Sequence, residues 1–159
     1  MPGFGGDIMT KEASLEIPKI KDGTVIDHIP SENIMKLAEI LSNKFKSTVT
    51  IGINFESKRL GKKGILKMDD TFLTEKEVNK IAILAKEGTL NIIKDFNVTK
   101  KYQLKIPDVI EEILKCPNPN CITNNEKTKT KFIVNKTEPL MIRCRFCERS
   151  FGKDELIFE

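Results

Sequence analysis

The sequence predicts an α+β fold in two parts, an N-terminal ferredoxin-like βαββαβ sandwich and a small C-terminal all-β domain of the zinc-ribbon kind. Three observations predict it. Between residues 23 and 98 the apolar periodicity alternates between strand and helix spacing, in the order strand, helix, strand, strand, helix, strand. All four cysteines lie beyond residue 115, in two close pairs. The last 44 residues are also too few to rely on an apolar core alone, so a staple is expected there.

Residues 1–12 are Gly-rich and polar without periodicity and read as a flexible arm. GTVIDHI (23–29) is rich in β-branched residues and ends at Pro30, which stops a strand. Ser31 then offers a helix N-cap, with Ile34, Leu37, Ala38, Leu41 and Phe45 at helical spacing behind it. STVTIGINF (47–55) is a strand with Val49, Ile51, Ile53 and Phe55 on one face. A turn through Gly61 and Gly64 leads into ILKM, a third strand. Thr74 and Glu77 form a capping box, opening a helix that buries Val78, Ile81, Ala82 and Ala85 and ends before Gly88. TLNIIKDFNV (89–98) is the fourth strand. DVIEEILK (108–115) reads as a short connector helix into Cys116, and the remainder as three short strands, KTKFIVN, LMIRCRF and ELIF. The predicted division is an arm at 1–12, a first domain at 13–104 and a metal domain with its connector at 105–159.

Composition bounds the function. Of 27 basic and 23 acidic residues, 19 and 17 fall before Cys116 and 8 and 6 from it onward. Neither half concentrates positive charge as a nucleic-acid-binding domain does. No apolar run approaches the roughly 18 residues of a membrane helix, and the first residues lack the apolar core of a secretory signal. Cytoplasmic residence, without membrane or nucleic-acid partners, is the expectation, and a reducing compartment disfavours structural disulfides.

Cys116-Pro-Asn-Pro-Asn-Cys121 and Cys144-Arg-Phe-Cys147 are separated by 22 residues, within the spacing of four-cysteine zinc sites. Each pair sits on a tight turn whose amides can reach the sulfurs, and two such turns complete a tetrahedron. A redox Cys-x-x-Cys would leave the other pair idle. Iron also accepts four thiolates, and spacing does not separate the two metals. One structural Zn²⁺ per chain is predicted, with no open position for catalysis.

In the first domain Lys63 and Lys67 share a strand face, an arrangement that suits an anion. Lysines that protect a solvated sheet edge are the alternative. Asp27 and His28, the single histidine, would point to opposite faces of a regular strand. They serve one ligand only if the strand loses regularity before Pro30. Lys100 and Lys101 could add to the same field. There is no phosphate-cradling Gly-rich loop of Walker type and no catalytic constellation.

GTVIDHIP (23–30), TIGIN (50–54), KKGILKM with TFLTEKEV, LNIIKDFNV, CPNPNCI and CRFCERSF together resemble the regulatory chains of aspartate carbamoyltransferase, in the right order over most of residues 15–159. The resemblance implies a non-catalytic subunit of pyrimidine biosynthesis that dimerises through its first domain. Its zinc domain would touch catalytic chains, and nucleoside triphosphates (CTP, ATP) would regulate the enzyme. By position it implies Asp27 at the ribose, His28 at the phosphates, Lys63 and Lys67 at ribose and phosphate, and Lys101 at the triphosphate tail. Ile20, Val25, Ile93, Phe96 and Val98 would surround the base, with Asn91 also at a site position. Phe96 stands where the family usually has tyrosine, and Pro18-Lys19 where it has Glu-Ala, so discrimination between bases is expected to differ. The rival classes are a nucleic-acid-binding zinc ribbon, which would need clustered basic residues, and an enzyme using the anion site.

Overall fold

The computed structural model describes residues 19–159; the expected arm at 1–12, and Pro18, lie outside the described residues. Strand β1 (Gly23–Pro30) is followed by α1 (Ile34–Leu41), β2 (Val49–Ser57), β3 (Gly61–Asp69), α2 (Glu75–Leu84), β4 (Thr89–Lys94) and β5 (Asn97–Gln103). These strands form one antiparallel sheet in the order β2-β3-β1-β4-β5. The first four have the ferredoxin-like arrangement, and β5 adds a fifth at the edge.

Both helices cover one face of the sheet. Ile34, Leu37 and Leu41 of α1 and Ile81 and Ala82 of α2 pack on Ile26, Ile29, Leu66, Met68 and Leu90, all essentially without solvent contact. Two glycines permit close approach. A Cβ at Gly64 would stand 3.1 Å from Ile34 of α1. Gly23 has φ +145°, and a Cβ there would meet the Met68 carbonyl oxygen at 2.1 Å. The start of β1 is pinned by the Thr24 hydroxyl, which donates to Thr71 O at 2.6 Å.

The capping box on α2 forms as read: the Glu77 N–H donates to Thr74 Oγ1, and the Thr74 N–H to the Glu77 carboxylate at 2.7 Å. Other local expectations are corrected. Ser31 caps no helix; it lies in a single 3-10 turn, and its hydroxyl accepts the Asn54 N–H. α2 does end before Gly88 as expected, at Leu84, with Ala85 at its C-cap (φ −141°, ψ 60°). β3 already begins at Gly61, so Gly64 is a strand residue rather than part of the turn. Segment 89–98 is not one strand. Asp95 and Phe96 both take positive φ (49° and 63°), forming the tight turn that right-twisted hairpins favour, and the chain returns as β5.

The second part contains β6 (Val109–Glu111), β7 (Leu114–Lys115), a four-residue turn of helix α3 (Ile122–Asn125), β8 (Lys131–Thr137), β9 (Leu140–Cys144), β10 (Ser150–Gly152) and β11 (Ile157–Phe158). The sheets run β10-β9-β8-β6 and β11-β7. The expected connector helix at 108–115 is therefore wrong. Glu112 at φ +55° breaks the segment into two extended pieces, and cross-strand pairing of Ile110 with Phe132 buries what helical spacing had suggested.

The two parts touch along α2 and the C-terminus. Ile83 of α2 joins the second core, and Phe158 packs against both. The Lys36 ammonium lies 5.3 Å from the Phe158 ring centre, Lys80 donates to Glu159 O at 2.7 Å, and Lys86 pairs with Glu138. No helix among the described residues is long and apolar enough to cross a membrane.

Candidate functional sites on the open sheet face and at the cysteines

The sheet face away from the helices gathers most of the first-domain residues named from sequence. Direct cross-strand partners on antiparallel strands point to the same face. Register pairs Lys67 with Val25, Val25 with Asn91 and Asn91 with Lys101, so one row crosses four strands. Asn91 Nδ2 donates to Val25 O at 3.4 Å within that row. Lys100, next to Lys101, falls on the other face beside Ile92.

Asp27 and His28 share this face because β1 is irregular where it must be. The β1–β3 register shifts between Ile26 and Ile29, and His28 adopts φ +57°. Its N–H donates to Asp27 Oδ1 at 2.6 Å, and its Nδ1 lies 3.3 Å from Thr89 Oγ1. Lys63 reaches Asp27 from β3 at 2.9 Å, and both side chains are mostly covered. Burial lowers the proton affinity of His28; Asp27 opposes this, while Lys63, Arg59 and Lys101 reinforce it. The positive field of Lys63, Arg59 and Lys101 thus adds to burial in holding the imidazole below its ordinary proton affinity, with the Asp27 carboxylate opposing it.

The opposite end of the face is apolar. Gly23 pairs with Ile93, and Ile93 with Val98. Ile20 and Ile93 are buried, whereas Phe96 and Val98 are 57% and 59% exposed. From Gly23 to His28 the strand advances about 16 Å. The face therefore runs from an apolar patch, through amide and lysine groups, to a cationic end. Sequence reasoning missed Thr89 and Arg59 there; only the tertiary register brings them to His28. A groove of about 800 Å³ on the helix side, lined by Phe72, Ile92, Tyr102 and Leu104 among others, shares none of these groups.

In the second part, the Cys116, Cys121, Cys144 and Cys147 sulfurs lie within 4.8 Å of one another. Cys116 and Cys147 Sγ are 3.7 Å apart, and Cys121 and Cys144 Sγ 3.8 Å. A tetrahedral cation with bonds of about 2.3 Å to sulfur requires sulfur separations of about 3.8 Å, so the four fit such an ion. The turns are built for it. Cys121 N–H donates to Asn118 O, and Asn124 Nδ2 donates to both Cys116 O and Asn118 O. Glu148 at φ +59° closes the second turn with its N–H on Cys144 O. Thr123 Oγ1 donates to Cys121 Sγ at 3.2 Å, a contact not read from the sequence.

Burial pushes the Cys116 and Cys144 thiols up, and neighbouring sulfurs add to the rise. At Cys147 burial is outweighed by the Arg149 N–H and the Asn118 side chain, and the thiol is lowered to about 7. Four adjacent sulfurs cannot all ionise unaided; a divalent cation at their centre removes the conflict.

Comparison with known proteins gives matches in both parts. Residues 15–105 match the family described as aspartate carbamoyltransferase regulatory chain, allosteric domain, and residues 108–157 the same chain's metal binding domain. The aspartate carbamoyltransferase regulatory chain of Pyrococcus abyssi is 49% identical over 148 residues, covering 91% of this chain and 97% of that one. Its counterpart in Pyrococcus furiosus is 47% identical over 148 residues, with the same coverage. That of Bacteroides thetaiotaomicron is 42% identical over 144 residues, covering 90% of this chain and 94% of its own.

Proposed function

The chain belongs to the family of aspartate carbamoyltransferase regulatory chains, and from that premise we propose that it binds CTP and ATP on the open face of its first-domain sheet and carries their effect to catalytic chains through a zinc-supported second domain. It is a regulatory chain rather than a catalytic one. The observation that carries the nucleotide reading is the irregularity at His28, which brings Asp27, His28 and Lys63 to one end of a face whose other end is apolar. A nucleoside triphosphate has the same polarity. Its base meets Ile20, Val25, Ile93, Phe96 and Val98, its ribose Asp27 and Lys67, and its phosphates His28, Lys63 and Lys101; Asn91 lies at the centre of the row.

Structural Zn²⁺ is the metal that four thiolates and a closed tetrahedron suit best. When bound, it supplies a cross-link rather than chemistry. Ile122 and Phe146, each following a cysteine of the cluster or lying between two, are 46% and 42% exposed and support contact with catalytic chains. β2, at the edge of the sheet among the described residues and with Ile51, Ile53 and Phe55 exposed there, supports pairing with a second regulatory chain. The setting is the cytoplasm, in pyrimidine biosynthesis.

The nucleotide does no chemistry here. It shifts the enzyme only through different affinities for two quaternary states, and catalytic ligands bias nucleotide binding reciprocally, by about 1–3 kcal/mol in typical cases. Calorimetry with CTP and ATP tests the site. Lys101→Ala, at an exposed strand position, is expected to weaken triphosphate binding about tenfold while the variant still elutes with catalytic chains. Unchanged affinity would remove Lys101 from the site, and no saturable binding by the wild-type chain would overturn the nucleotide reading.

A further inference from the structure

The turn between β2 and β3 holds a cation that the nucleotide reading leaves unused. Arg59 stands in the turn, which Leu60 N–H closes by donating to Ser57 Oγ at 3.2 Å. Its guanidinium crosses to the loop between α2 and β4, donating to Glu87 O at 3.2 Å and standing 4.0 Å from the Glu87 carboxylate. Both side chains are 47% exposed, and a pair so open and so long contributes little to stability. Fold maintenance therefore does not account for it.

Its location does suggest a use. Glu87 is two residues from Thr89, whose hydroxyl is 3.3 Å from His28 Nδ1. β3 starts at Gly61, and Lys63 sits opposite Pro30, so the turn lies past the Asp27–His28 end of the open face. Along the strand direction the order is apolar patch, Val25 row and Asp27–His28–Lys63 group, with the turn that carries Arg59 beyond the end of β3. Arg59 is close enough to oppose protonation of His28 together with Lys63 and Lys101.

Resting on the nucleotide reading, we infer that Arg59 is a further polyphosphate-binding residue, held by Glu87 until the outer phosphates of a nucleoside triphosphate take its place. A guanidinium binds phosphate oxygens through two parallel hydrogen bonds, and a polyphosphate tail carries more charge than one carboxylate. The exchange requires only rotation of a half-exposed side chain. Because Arg59 stands farthest from the apolar patch, it distinguishes triphosphates from monophosphates.

Calorimetry on the full metal-loaded chain, with CTP and CMP as probes, tests this. Arg59→Gln is expected to weaken CTP binding about tenfold, the loss of one charge-assisted contact, and to leave CMP affinity within about twofold. Glu87→Gln, which frees Arg59, is expected to tighten CTP binding roughly threefold, and that gain disappears in the double variant. Unchanged CTP affinity in Arg59→Gln, or an equal loss for CTP and CMP, overturns the role of Arg59. No gain in Glu87→Gln overturns the exchange with Glu87. If wild-type chain binds neither probe, the nucleotide reading itself falls and this inference with it, a result distinct from the others.

Discussion

A mercurial or strong chelator that takes the cation from Cys116, Cys121, Cys144 and Cys147 cuts the tie between two turns without touching the first core. Residues 116–159 number 44, and at ordinary stability per residue they would hold only roughly 2–7 kcal/mol. Metal binding by such sites is worth about 10–16 kcal/mol in model peptides. The metal's contribution exceeds everything else the segment has, so its core of Phe132, Leu140, Ile142 and Phe151, with Ile110 packed on it, is expected to open on removal. The first domain loses its shared contacts through Ile83 and Phe158, and the surface contacts of Lys80 with Glu159 and Lys86 with Glu138, a cost of about 1–3 kcal/mol. Amide hydrogen exchange reads both at once. Protection should vanish across β8 and β9 and persist, slightly reduced, at Ile26, Leu66 and Leu90. Full protection of β8 and β9 with four titratable thiols would refute the reasoning.

Other perturbations separate the parts. Burial works to raise the Glu77 carboxyl, but the Lys44 ammonium at 2.9 Å and the Thr74 backbone outweigh it, so the group lies below its ordinary value. A lowered folded-state value gives stability that is present above the ordinary carboxylate range and lost as pH falls through the folded value. Denaturant midpoints between about pH 6 and pH 3 should therefore fall less in Glu77→Gln than in wild type, and identical slopes would contradict this. Phe158→Ala should cost about 2 kcal/mol and shift the unfolding of both domains, because the ring packs on both cores; a shift confined to the second would count against its bridging role. Cys116→Ser should leave catalytic chains uncomplexed on sizing, and an intact heteromeric complex would be the contrary result.

How much of this was legible in the sequence depended on where the determining physics lay. The cysteine spacing and the Thr74–Glu77 box are local, and both formed as read. The buried stripe of α1 followed from periodicity alone, as did Ile81 and Ala82 of α2, whereas Val78 is half-buried and Ile83 and Leu84 were not read. Errors came where a non-glycine residue takes positive φ. Asp95 and Phe96 turn a hairpin with no glycine to announce it, so β4 and β5 read as one strand. Glu112 splits a segment whose Val109, Ile110, Ile113 and Leu114 have helical spacing, and strand pairing with β8 decides the outcome. At His28 the sequence left the outcome open: Asp27 and His28 could share a ligand only if β1 lost regularity before Pro30, and the bulge between Ile26 and Ile29 meets that condition. Arg59 and Thr89 had no local signal at all; each is placed by the sheet order β2-β3-β1-β4.

The central claim is that this chain conveys nucleotide binding to a catalytic partner. The chain should be combined with catalytic chains of aspartate carbamoyltransferase, and carbamoyl transfer to aspartate followed with and without CTP and ATP. The rate should respond to the nucleotides only when this chain is present, with the response lost in Lys101→Ala although the complex still forms. An assembled complex whose rate is the same with and without saturating CTP or ATP would contradict it.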